Sequence, residues 1–68
     1  MLCITTCNLY GGGFHDSYMI PKGTVMRVVG MSGYSVDLVS VRNKYHKLRL
    51  TDDEFTDPSY VYEINEGV

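Results

Sequence analysis

Four side chains in this chain could bind a metal or pair as nucleophile and base: Cys3, Cys7, His15 and His46. A zinc centre needs two ligands beyond Cys3 and Cys7, and His15 and His46 do not form the short H-x₃₋₅-H pair that brings ligands together. Cys3 and Cys7 lie in a segment with a strand pattern. At ~3.3 Å per residue their Cα atoms are roughly 13 Å apart, about twice the reach of a disulfide. They are expected to be reduced packing residues, as buried free cysteines commonly are. His15 and Asp16 are neighbours, so on an extended chain their side chains point apart, and neither histidine adjoins a cysteine. Gly11-Gly12-Gly13 is followed by neither a helix pattern nor Lys-Ser/Thr, so it makes no phosphate loop. The expectation is a protein that is not an enzyme and that carries no metal and no cofactor.

The remaining chemistry is charge and aromatic surface. All six basic residues, Lys22, Arg27, Arg42, Lys44, Lys47 and Arg49, precede Thr51. Six of the eight acids, Asp52, Asp53, Glu54, Asp57, Glu63 and Glu66, follow Leu50, so charge is segregated along the sequence. The net charge of −2 removes a global pull toward phosphate backbones. A local strip remains at Arg42, Lys44, Tyr45, Lys47 and Arg49, which could stack a base and neutralise ~3–4 phosphates. The plainer reading is that Lys47 and Arg49 pair with acids on adjacent strands. The aromatic residues, Tyr10, Tyr18, Tyr34, Tyr45, Tyr60 and Tyr62 with Phe14 and Phe55, exceed what one small core holds. Tyr10, Phe14, Tyr18 and Tyr34 are expected around the glycine loop as a protein-binding surface, or, more plainly, closing the mouth of the fold. Tyr60, Tyr62 and Phe55 are expected to pack.

The elements that position these groups are short strands. Sixty-eight residues with 44% hydrophobic and 21% charged side chains make one ordinary globular domain, spanning 1–68. No window repeats apolar residues at helical spacing over two turns, and β-branched and aromatic residues dominate the periodic segments. A first strand is expected from Leu2 to about Leu9, covered on both faces or bulged at Thr5-Thr6, followed by a long loop over Tyr10–Tyr18. Pro21 and Gly23 suit a turn into a strand from Thr24 to Val29, with Met26 and Val28 inward and Arg27 outward. Gly30–Gly33 turns into a strand from Tyr34 to Val41, and the two should pair. Arg42-Asn43-Lys44 turns into Tyr45–Leu50, where His46, Leu48 and Leu50 alternate with Tyr45, Lys47 and Arg49. This leaves His46 half-buried. Thr51-Asp52-Asp53-Glu54 matches a capping box, closed after one turn by Asp57-Pro58, and Tyr60–Ile64 is the last strand before a fraying tail.

Five short strands, a long loop after the first, the run Ile20-Pro21-Lys22-Gly23-Thr24-Val25-Met26-Arg27-Val28 and the run Leu48-Arg49-Leu50-Thr51-Asp52-Asp53-Glu54-Phe55 together resemble the SH3-like small β-barrel over nearly the whole chain. The resemblance implies an all-β fold: a five-stranded barrel with one short helical turn before the last strand. Peptide-binding members hold Pro-rich ligands in a groove with tryptophan, which this chain lacks, so the resemblance extends to the fold and not to that activity. Free-standing barrels of this size resemble phage or bacterial accessory proteins that bind another macromolecule.

The expected function is therefore a protein-binding modulator or inhibitor of a host enzyme, with contacts from Tyr10, Phe14, Tyr18, Tyr34, Asp52, Asp53 and Glu54. The alternative is nucleic-acid binding through Arg42, Lys44, Tyr45, Lys47 and Arg49, and a structural homo-oligomer is third. No apolar run approaches the ~20 residues of a membrane helix, and the start, Met1-Leu2-Cys3-Ile4, lacks a signal-peptide pattern, so a soluble, cytoplasmic protein is expected.

Overall fold

A computed structural model describes residues 1–12 and 17–64. The described chain is mostly β: β1 (Leu2–Thr5), β2 (Leu9–Gly11), β3 (Tyr18–Ile20), β4 (Val25–Met31), β5 (Ser35–Ser40), β6 (Lys47–Thr51), the short helix α1 (Asp52–Thr56) and β7 (Val61–Ile64). Five strands form one curled antiparallel sheet in the order β6-β5-β4-β1-β7, and β2 and β3 form a separate hairpin. The sheet is open, since β6 and β7 are its two edges and do not pair with each other. The all-β expectation holds, but the five-stranded sheet is not closed into the expected barrel.

Period-2 patterning decides which face is buried. On β6, Leu48 and Leu50 are buried while Lys47, Arg49 and Thr51 are exposed. On β5, Val36, Leu38 and Ser40 are buried. The inner face joins Cys3, Met26, Val36, Leu38, Leu48, Leu50 and Val61 with Leu9 and Ile20 from the hairpin. Leu9 and Ile20 are ladder partners, so the hairpin inserts one cross-strand pair into the open side of the sheet. Fully burying a side chain such as Ile20 stabilises the fold by roughly 1.5–3 kcal/mol, and truncating Leu38 to alanine costs about 2–5 kcal/mol. On β4, Met26 is buried and Arg27 exposed as expected, but the register with β5 shifts between Val28 and Gly30, a bulge that leaves Val29 outside and exposed.

The single strand expected over Leu2–Leu9 is two strands. The break falls after Thr5, whose hydroxyl donates to the Pro21 carbonyl (2.8 Å) and accepts from the Thr24 N–H (2.9 Å). Its backbone accepts from Gly23 N–H (2.8 Å) and donates to the Thr24 carbonyl (2.9 Å). Gly23 sits at φ +90°, which favours glycine, so the Pro21–Thr24 turn can close tightly enough to reach Thr5. With Thr5 held there, the chain leaves the sheet and returns as β2. The long loop expected over Tyr10–Tyr18 is in part this hairpin.

The capping box forms as its sequence dictates. The Thr51 hydroxyl accepts from Glu54 N–H, and Glu54 Oε1 accepts from Thr51 N–H at 2.9 Å. Asp57 ends the helix in an extended conformation ahead of Pro58. Phe55 and Tyr60 pack on the core as expected, whereas Tyr62 is exposed, because its parity on β7 places it with Ile4 on the outer face.

Candidate functional site: an aromatic and acidic corner

Cys3 is buried and Cys7 half-buried, and both are free thiols. Burial, and after it the nearby Glu63 carboxylate, push the Cys3 thiol above its ordinary value, away from the nucleophilic thiolate. Among the described residues no group of three or more His, Cys, Asp or Glu is placed to hold a metal ion. His15, Asp16 and Phe14, which the sequence reading singled out, lie outside the described residues.

The expected aromatic cluster divides between the two ends of β6. Tyr18 reaches the start of that strand: its hydroxyl donates to the Lys47 carbonyl (2.5 Å) and accepts from the Lys47 N–H (2.6 Å). Its ring stacks on His46, with centroids 4.7 Å apart and planes 13° apart. Gly11 is required here, because a Cβ would overlap the Lys47 carbonyl oxygen and the Tyr18 ring. Tyr18 and half-buried His46 therefore serve the fold. Tyr10 is exposed on the opposite face of the hairpin, across from Met19.

Tyr34 lies at the other end. It precedes β5, whose first residue, Ser35, pairs with Thr51, and its carbonyl accepts from the Asp52 N–H at 3.1 Å. Four residues of strand separate Thr51 from Lys47, roughly 13 Å, so Tyr34 does not share a surface with Tyr18. Tyr34 is 87% exposed, and Met31, just before the turn, is 63% exposed. The turn itself is stiff: the Ser32 hydroxyl accepts from Ser35 N–H (3.1 Å) and Tyr34 N–H (3.3 Å), and Ser32 N–H donates to the Ser35 carbonyl (2.9 Å). The hydrogen-bonded turn thus leads into an exposed tyrosine whose backbone is bonded to that of exposed Asp52, followed in the chain by exposed Asp53. Glu54, grouped with them from the sequence, is half-buried and committed to capping Thr51. Met31 was missed because the sequence reads it as part of the Gly30–Gly33 turn, whereas it ends β4. The signal that finds it is its partner, buried Val36, at the margin of the sheet.

The basic strip is divided as well. Arg49 donates to the Asp37 carboxylate at 2.7 Å across the β5–β6 ladder, and this bond holds the guanidinium pKa above its ordinary value. Lys44 lies 5.5 Å over the ring of exposed Tyr45, in the loop ahead of β6. Arg42 belongs to a different surface. It lines a cleft of about 540 Å³ with Pro21, Lys22, Gly23, Thr24, Val25 and Val41. Lys47 and Arg49 line another, of about 670 Å³, on the outer face beside Val29, Val39 and Tyr18. The cations that alternate in sequence thus face at least two surfaces, and one of these cations, Arg49, is already paired with Asp37. No helix among the described residues is long and apolar enough to cross a membrane. The strand order and corner geometry stand on this chain alone: no known family model matches it, and neither a curated protein nor a solved structure does.

Proposed function

We propose that the chain is a non-enzymatic binding module that docks on another protein through the corner made by Met31, Tyr34, Asp52 and Asp53. The observation that carries this reading is Tyr34, 87% exposed yet tied by its carbonyl to the Asp52 N–H. A tyrosine held in place gives large contact area at low entropic cost, and flanking carboxylates orient the encounter with a basic surface. The strand order β6-β5-β4-β1-β7, with a hairpin after the first strand and a helical turn before the last, supports reading the fold as an open relative of the SH3-like barrel. An accessory role as modulator or inhibitor of an enzyme fits a chain whose exposed chemistry is contact surface.

The test is affinity capture from the source cell with the wild type, Tyr34→Ala and the double variant Asp52→Asn/Asp53→Asn side by side. A specific partner retained by the wild type should lose at least about tenfold in affinity with Tyr34→Ala, the behaviour of an interface anchor. The double variant should slow association and weaken its salt dependence. A partner that binds all three proteins equally removes the corner as the docking site.

A further inference from the structure

The cleft lined by Lys22 and Arg42 is used by neither the core nor the corner. It lies between the Pro21–Thr24 turn, the start of β4 at Val25 and the residues that leave β5, Val41 and Arg42. Val41 N–H donates to the Val25 carbonyl at 3.1 Å, which closes its floor. The backbone N–H groups of the turn are committed: Lys22 to Asn8 Oδ1, Gly23 to the Thr5 carbonyl and Thr24 to the Thr5 hydroxyl. What the cleft offers a ligand is therefore apolar surface from Pro21, Val25 and Val41 and two cationic side chains. Among the described residues no carboxylate lines it, and neither Lys22 nor Arg42 has an ion-pair partner. An anion with an apolar neighbour fits this chemistry.

The molecule carries such a group itself. Tyr34 precedes β5 and Val41 follows it, so the aromatic and acidic corner and the basic cleft stand at opposite ends of one strand, roughly 20 Å apart. Each pole combines exposed apolar atoms with charge of one sign, and the signs are opposite. We propose that the Lys22–Arg42 cleft receives the Tyr34–Asp52–Asp53 corner of a second copy, so that the chain associates head to tail. Poles at opposite ends cannot satisfy each other within one molecule. The contact is heterologous, and each added copy leaves one cleft and one corner open. The proposal shares the corner with the docking function above but assigns a different partner and a second surface.

The experiment is light scattering on the full chain across a concentration series, at low and at high ionic strength. Particle mass should rise with concentration at low salt and return to that of the monomer at high salt, since exposed charge pairs are screened. Lys22→Glu/Arg42→Glu and Asp52→Lys/Asp53→Lys should each stay monomeric at every concentration. An equimolar mixture of the two should associate again, because the intact corner of one meets the intact cleft of the other and the reversed charges at the remaining cleft and corner also complement each other. That mixture also shows that both variants fold. A wild type that stays monomeric throughout overturns the proposal, as does an assembly that survives both pairs of substitutions, or a mixture that stays monomeric while the wild type associates. Salt-sensitive binding of a duplex oligonucleotide that depends on Lys22 and Arg42, without self-association, overturns it in favour of nucleic acid. Because Lys22→Glu/Arg42→Glu leaves the corner intact, capture of a protein partner by that variant separates failure of this proposal from failure of the docking reading.

Discussion

The Tyr18 hydroxyl occupies both hydrogen-bonding groups of Lys47 on the open side of β6, accepting from its N–H at 2.6 Å and donating to its carbonyl at 2.5 Å. At the far end of the strand, Glu54 Oε1 takes the Thr51 N–H. An open sheet edge invites pairing with other chains, and side chains here block it at two of its stations.

Tyr18→Phe keeps the ring and its stacking on His46 but removes the clamp. It should cost about 1 kcal/mol, the net worth of a typical hydrogen bond, which in a domain of this size lowers the thermal midpoint by roughly 4–8 °C. Aggregation on heating should increase as well. An unchanged midpoint in thermal unfolding followed by circular dichroism contradicts the clamp.

The three acids of the helical turn should separate by role. Thr51→Ala and Glu54→Ala each break the capping box and should destabilise by about 1 kcal/mol. Asp52→Asn and Asp53→Asn should shift stability by only a few tenths of a kcal/mol, the scale of a charge near a helix terminus. Urea titrations of the four variants check this ordering, and equal losses at all four positions contradict it.

Cys3 should tie stability to alkaline pH. Burial and Glu63 raise its folded pKa, so the folded protein keeps the thiol proton where the unfolded chain, with an ordinary value of about 8.5, releases it. The resulting stability is complete below the unfolded value and is lost as pH rises toward the folded one. The wild type should lose stability relative to Cys3→Ala as pH rises above the ordinary thiol value of about 8.5. A flat difference counts against it. Thiol labelling of the native protein should reach half-buried Cys7 first and Cys3 only as the sheet opens.

Asp37 should act as a lock on Arg49. The pair is exposed, at 73% and 44% for the two side chains, so Asp37→Asn should leave the thermal midpoint nearly unchanged. If the outer face of β6 binds nucleic acid, the same substitution frees the guanidinium and removes a negative charge, and affinity for an oligonucleotide should rise several-fold at low salt. Equal retention of wild type and Asp37→Asn on an oligonucleotide, at background level, removes that function.

Much of the sheet was legible because local signals and burial agree. The alternation at Lys47–Thr51, the turn at Pro21–Gly23 and the capping box at Thr51–Glu54 each follow from residues within a few positions. The break after Thr5 was not legible, since it depends on hydrogen bonds to Pro21 and Thr24, sixteen and nineteen residues away. The bulge at Val29 escaped for a related reason: an extra residue among valines changes no local preference, only the cross-strand register. At the candidate site the exposure of Tyr34 and the acids was readable, but their separation from Tyr18 was not. That separation follows from which end of β6 each tyrosine meets, a property of pairing.

Thr5 makes four links to the segment from Pro21 to Thr24, two through its hydroxyl and two through its backbone, and it is itself 2% exposed. The arm bearing Leu9 and Ile20 is thus sewn to the main sheet at a point that also anchors β1 to β4. Peeling that arm away cannot proceed as independent fraying, because the same rupture unzips the centre of the sheet. Slow amide exchange should accordingly vanish from both parts in one event, with the arm and the sheet forming a single cooperative unit.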